Sequence, residues 1–348
     1  MNKKINICFI IAVFACFLII TLKIYSIEQI GVQPYPLGAV FDSDSFEGFI
    51  VRDELTYINW IQVRSNALLM ILQLQRDATN LFGYFVAGLV EFSGYWWFGY
   101  FSGLFGLYAF YKSSISLFNH LDGEGRGDKK WIIFFMLSPG VLMLGSSMLR
   151  DLWVLVLLNL LIISAIKRRI LLISLLIIIM FFLRNFYVPL LMPILLYFTI
   201  RDNFFRKFAS LLGSFLVIVS VLVLINLKPA LYQTDLTEIF LRMMSGVFGI
   251  SIELIRFFKN FENDKSVVLE YLGLVFHFLV ASAFWVYIIK NIKKVSVFSV
   301  LVLSFAISLS IMYGYFLGYF VVRTKLIIIW LMVLAMVHSS GNRSYVRK

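Results

Sequence analysis

The sequence is poor in charge, in cysteine and in histidine. Asp, Glu, Lys and Arg make up 14% of its 348 residues, against roughly 25% in ordinary globular domains. That is too little to clothe a water-facing surface. The two cysteines, Cys8 and Cys16, both lie in the first apolar run. A disulfide-stapled secreted fold is therefore excluded, and both thiols read as packing or membrane-facing groups. Three histidines, two cysteines and no clustered acid box do not compose a metal-ligand set. No phosphate-cradling glycine loop of the Walker type occurs, so nucleotide hydrolysis is not expected of this chain. What is abundant is apolar: 61% of the residues are hydrophobic, against roughly 45–50% for globular proteins. A soluble core of this size cannot absorb that excess, which excludes a soluble enzyme and a disordered chain and makes the bilayer the expected solvent.

The apolar runs predict an all-α fold, a polytopic bundle of about ten transmembrane helices in one integral membrane domain covering residues 1–348. Spans are expected at about 5–25, 94–118, 131–147, 151–166, 170–183, 186–200, 209–226, 267–289, 295–316 and 324–338. Several fall short of the roughly 20 residues a straight spanning helix needs, those at 170–183 and 186–200 most of all. The first span is read as a retained anchor, because no small-residue cleavage site follows it. Residues 26–93 form a first outer loop, acidic and polar up to Glu54 and amphipathic from Leu55 to Phe92. Residues 227–266 form a second outer loop. In it Leu236, Ile239, Phe240, Met243, Met244 and Val247, and then Ile250, Leu254, Phe257, Phe258 and Phe261, recur at helical spacing. Both stretches are expected as amphipathic helices on the outer face, whether as simple anchors or as lipid-binding elements. The spacing Gly99-x3-Gly103-x2-Gly106 predicts close helix packing.

The formal net charge is +12, which by itself suggests an acidic partner such as nucleic acid. Its placement argues otherwise. With the spans above, 18 of the 31 Lys and Arg residues and only four of the 19 acids fall on the side that holds both termini and the turns Lys167-Arg168-Arg169 and Lys290 to Lys294. The whole excess lies on one face. This is the positive-inside bias of a multi-pass inner-membrane protein with cytoplasmic N- and C-termini, and no nucleic-acid partner is expected.

Ionisable residues gather instead on the outer side. Arg52-Asp53-Glu54-Leu-Thr-Tyr57 offers carboxylates able to take a proton from a sugar hydroxyl as it attacks; the same acids also suit the N-terminus of an amphipathic helix. Asp42 and Asp44 are weaker candidates of the same kind. Ser138-Pro139 introduces a tip, Ser146-Ser147-Met148-Leu149-Arg150-Asp151, and Arg184 is expected at the same depth. An acid at a helix start and an arginine at a membrane boundary have structural explanations. Charges at this depth are nonetheless costly unless they face a polar cavity or each other. Tyr319-Phe-Val-Val-Arg323-Thr-Lys325 lies on the same side, and Arg242 and Arg256 add positive charge from the second loop. Guanidinium groups fork onto phosphate oxygens, so the set suits a lipid carrying phosphate or pyrophosphate. His120 and His338 are placed at cytoplasmic ends, and His277, in mid-span, reads as a packing histidine.

These features together resemble the polytopic GT-C-type sugar transferases, and in particular the O-antigen and capsule repeat-unit polymerases of bacteria. Asp53, Glu54 and Tyr57 match the Asp-Glu-x-x-Tyr kind of motif in the first outer loop. Ser138-Pro139, Ser146-Ser147-x-x-Arg150-Asp151, a later arginine like Arg184 and one like Arg323 at the start of the last span resemble membrane proteins of polysaccharide clusters. The resemblance implies a lipid-pyrophosphate donor, no metal and no cofactor. It implies a polymerase that joins lipid-linked oligosaccharide repeat units at the outer face of the bacterial inner membrane, with a chain-length regulator and a flippase as partners. In that role Asp53 or Glu54 activates the acceptor hydroxyl. Arg150, Arg184 and Arg323 stabilise the leaving group, Asp151 orients Arg150, and Tyr57, Arg242 and Lys325 bind substrate. The alternatives are a GT-C transferase with a polyprenyl-phosphate sugar donor and a lipid-linked sugar flippase.

Overall fold

A computed structural model describes residues 2–29, 81–121, 130–184, 187–200, 202–227, 244–249, 268–292, 296–312 and 322–341. Among the described residues every regular element is helical and none is a strand. In chain order the helices are α1 (Asn2–Gln29), α2 (Leu81–Ser93), α3 (Phe101–Leu121, entered through a 3-10 turn, Trp96–Tyr100), α4 (Lys130–Met136), α5 (Pro139–Gly145) and α6 (Asp151–Ile166). They continue with α7 (Ile170–Arg184), α8 (Tyr187–Thr199), α9 (Asn203–Leu227), α10 (Val268–Lys290), α11 (Val297–Met312) and α12 (Val322–Gly341). Residues 244–248 add a single helical turn.

Three of these helices are long and apolar enough to cross a bilayer: Ile5–Tyr25 in α1, Asn203–Val221 in α9 and Leu272–Lys290 in α10. Their outward faces carry the apolar excess. Ile10, Phe14 and Leu18 of α1 and Phe204, Phe208 and Phe215 of α9 are exposed, as are Leu171, Leu175 and Ile178 of α7. Such faces are unfavourable in water and at ease against lipid tails. Five shorter apolar helices, among them α6, α7, α8 and α11, complete the apolar set.

The expected span 131–147 is two helices rather than one. Pro139 has no N–H to give the helix ladder and disfavours helical backbone at Ser138. Ser138 is accordingly extended, and its hydroxyl accepts from the Val141 N–H to start α5 afresh. Between α6 and α7, Arg168 takes a left-handed backbone, φ 55°. The Arg169 N–H then bonds the Ser164 carbonyl and the Arg168 N–H the Ala165 carbonyl, which closes the end of α6 as a Schellman turn without glycine.

α12 is the centre post. It is buried at every position from Lys325 to Val337, as expected of a helix that is apolar all round. Phe110, Phe118 and Phe135 surround the Trp330 ring with centroids 5.1, 5.9 and 4.7 Å away. One polar knot crosses this core. Trp330 Nε1–H donates to Asn159 Oδ1 at 2.7 Å, and Asn159 Nδ2 donates to the hydroxyls of Ser113 and Ser114 at 3.1 Å each. An interhelical bond of this kind locks the register of α3, α6 and α12 where no water competes.

The glycine seam does what its spacing predicts. A methyl group on Gly103 would lie 2.5 Å from the Ser147 carbonyl oxygen and 2.7 Å from that of Gly145. α3 is thereby laid directly on the backbone that leads from α5 into α6. α2 lies in the stretch expected as amphipathic; its Phe82, Val86 and Val90 are buried, while the equally apolar Phe85 and Phe92 are exposed.

Candidate functional site

The site is built around the tip between α5 and α6. α5 ends at Gly145, and residues 146–150 turn the chain before α6 begins at Asp151. The Ser146 and Ser147 hydroxyls both fold back onto the Met143 carbonyl, which tightens the turn. Arg150 is the residue before the helix and is half-buried. Asp151 occupies the first position of α6, where the N-terminal dipole favours an anion.

Asp151 is joined to Arg184, at the last position of α7. Arg184 Nη2 donates to Asp151 Oδ1 at 2.8 Å, with the two side chains only 11% and 4% exposed. The pairing of Asp151 with Arg184 was not expected from the sequence. The cause is the hairpin, since α6 and α7 are antiparallel neighbours and the end of one lies beside the start of the other.

Lys23, near the end of the α1 span, is also buried at this end (1% exposed). Its ammonium donates to the Ser146 carbonyl at 2.9 Å and to the Ser147 hydroxyl at 3.0 Å, and stands 5.5 Å from the centre of the Tyr100 ring. Lys325, in the first turn of α12, is wholly buried and donates to the Ser245 hydroxyl at 2.7 Å. Ser245 belongs to the short turn 244–248, which is packed against α10: Trp285 Nε1–H donates to the Val247 carbonyl, and Phe248 stacks on Trp285. Gly249, at φ +73°, lets this backbone lie so close that an added methyl would meet Phe278 Cα at 2.5 Å. His277 is fully buried beside the Gly246 backbone and within electrostatic reach of Lys325. Neither of its ring nitrogens makes a hydrogen bond among the described residues.

Depth follows from the Trp330–Asn159 bond. Asp151 precedes Asn159 by eight positions, about 12 Å of helix, and Lys325 precedes Trp330 by five, about 7.5 Å. Arg323 precedes Trp330 by seven, about 10.5 Å. Leu326 packs over Gly140 of α5 while Trp330 touches Phe135 of α4, so α12 starts at the end where α5 finishes. The backbones of Asp151, Arg323 and Lys325 therefore lie within about 5 Å in depth. At the opposite end sit the Lys167-Arg168-Arg169 turn, Lys290, and a cluster in which Arg206 covers the Tyr197 ring and the Tyr197 hydroxyl meets His338 Nε2 at 3.3 Å.

Of the expected site residues, Arg150, Asp151, Arg184 and Lys325 come to one end of the bundle, and Arg323 joins them at the level of the backbone. Asp53, Glu54, Tyr57 and Arg242 lie outside the described residues, as do Asp42, Asp44 and Arg256. Lys23, Tyr100 and Ser245 were not singled out from the sequence, whereas Ser147 was noted only as part of the Ser146-Ser147-x-x-Arg150-Asp151 tip. Lys23 had a signal, being a charge inside an otherwise apolar span. Ser245 had none. Among the described residues no group of three or more His, Cys, Asp or Glu is placed to hold a metal. Chemically, the described arrangement can hold an anion: ammonium and guanidinium groups, with hydroxyls and the Asp151 carboxylate, gather at one end of an apolar bundle. The chain matches no family model, no curated protein and no solved structure.

Proposed function

We propose that this chain is a multi-pass glycosyltransferase of the bacterial inner membrane, a bundle of about ten spans that joins lipid-linked repeat units of a surface polysaccharide at the outer face. The observation that carries the reading is the convergence of Lys23, Arg150, Asp151, Arg184 and Lys325, drawn from distant stretches of sequence, at one end of an apolar helical bundle. Burying one charged group costs several kcal/mol unless it is compensated, so an assembly of them at one depth calls for a purpose. A pyrophosphate leaving group supplies it: its developing negative charge is what pre-oriented cations stabilise best. Asp53 or Glu54 is the proposed base for the acceptor hydroxyl. The basic turns at the other end fit a cytoplasmic face, and both termini are proposed to lie in the cytoplasm. A lipid-linked oligosaccharide is the proposed substrate, with a flippase and a chain-length regulator as partners.

The test is deletion followed by complementation in the source bacterium. Loss of the chain is expected to leave single repeat units on the lipid carrier. Arg150→Ala, Arg184→Ala, Arg323→Ala and Asp53→Ala, each expressed at the normal level, are expected to fail to restore long glycan. A deletion that changes the unit itself favours the alternative transferase, which adds one sugar from a polyprenyl-phosphate donor. Full-length glycan from all four variants refutes the site.

A further inference from the structure

We infer that Lys23 is a positioning residue of the anion site, and that α1 is therefore part of the site as well as an anchor. The inference rests on the pyrophosphate reading above and names a residue that reading does not use. The last carbonyls of a helix carry partial negative charge and want donors. α5 ends against the Lys23 ammonium, which holds the Ser146 carbonyl at 2.9 Å and the Ser147 hydroxyl at 3.0 Å. Four residues after Ser146 comes Arg150, and then Asp151 with its Arg184 partner. The turn between them is also pressed by Gly103 of α3, whose approach to the Ser147 carbonyl leaves no room for a methyl. The turn is thus held by both α3 and Lys23, and where it sits decides where Arg150 and Asp151 point. A lysine buried to 1% exposure is a costly way to cap a seven-residue helix. A neutral donor would serve for capping alone; an ammonium also adds positive potential at the mouth that receives the anion.

The experiment uses the full chain in lipid nanodiscs, with farnesyl pyrophosphate as the probe. Wild type, Lys23→Met, Lys23→Arg, Ser147→Ala and Arg184→Ala are compared for probe affinity and for hydrogen exchange in the peptide covering 144–152. Lys23→Met is expected to speed exchange in that peptide, leave α12 protected and weaken the probe about tenfold or more, since displacements near 1 Å at such sites cost up to about 100-fold. Lys23→Arg is expected to recover most of the affinity, and Ser147→Ala to lose a smaller part. Wild-type affinity in both Lys23→Met and Ser147→Ala, with Arg184→Ala defective, overturns the inference and leaves the pyrophosphate reading standing. If Lys23→Met does not fold, wild-type affinity in Ser147→Ala alone overturns it. Absence of probe binding by the wild type overturns both.

Discussion

Asp151 and Arg184 neutralise one another inside an apolar bundle, and that makes each hostage to the other. Removing one side chain takes this partner away from a buried charge, which in comparable cases costs up to about 3–5 kcal/mol. Asp151→Ala and Arg184→Ala are each expected to lower the thermal unfolding midpoint of the purified chain. Replacing both by leucine is expected to recover most of that loss, because a well-packed apolar pair often matches a buried ion pair. The double variant is expected to remain inactive if the pair serves chemistry. A double variant as unstable as the singles shows that the two side chains do not depend on each other. Both residues were legible in the sequence as outer-depth charges. Their bond was not, because a helical hairpin decides which ends meet and the residues themselves do not. Lys23 was legible only as an oddity in an apolar run. Ser147 was legible only as part of the tip motif and Ser245 not at all, since serine in a membrane helix is ordinary and only a partner across space gives it meaning.

At the scale of the element, the seam on α3 is the most exposed to a single methyl group. Gly103→Ala must push back the Ser147 and Gly145 carbonyls, and over-packing of this kind typically costs about 1–3 kcal/mol. Gly88→Ala on α2 meets nothing within 4 Å and is expected to be neutral or to stabilise by up to about 1 kcal/mol, the ordinary helix preference for alanine. Thermal unfolding of the two variants in one detergent checks the pair; equal midpoints would show that α3 does not touch the turn so closely. Helix positions were largely readable: the expected 151–166 is Asp151–Ile166 as found, and 170–183 ends one residue later. The break at Ser138-Pro139 could be read as a tip signal but was not given its full weight, since a proline within an apolar run still leaves the run apolar. Most of the second loop lies outside the described residues; in its described turn, 244–248, Ser245 and Val247 are buried, and the Val247 carbonyl is held by Trp285 of α10. Amphipathic spacing says that a face will be covered and is silent on whether lipid or protein covers it.

At the scale of the whole molecule, the proposed ten-span arrangement separates two charge environments. Cysteines introduced one at a time at Arg168 and Ile292 are expected to resist a membrane-impermeant maleimide in intact spheroplasts and to react once the membrane is opened. One at Ser93 is expected to react in both. Labelling of the Arg168 position from outside refutes the orientation, and with it the assignment of the cationic end to the outer face. The composition made membrane residence plain from the start, because an apolar excess this large has only one comfortable solvent. The central place of α12 was hidden, because a helix that is apolar all round looks the same in sequence whether it meets lipid or protein.

The position of α12 also bears on how the chain is made. Ribosomes deliver helices in order, and this post, around which α3, α4, α5 and α6 are wrapped, is delivered after all of them. Until it inserts, the earlier helices have no Trp330 for Asn159 and no Lys325 beside the turn at Ser245. A nascent chain that has not yet threaded residues 322–341 therefore lacks the contacts that tie α6 and the Ser245 turn into the bundle, and under the proposed function it is expected to stay idle until that segment is in place.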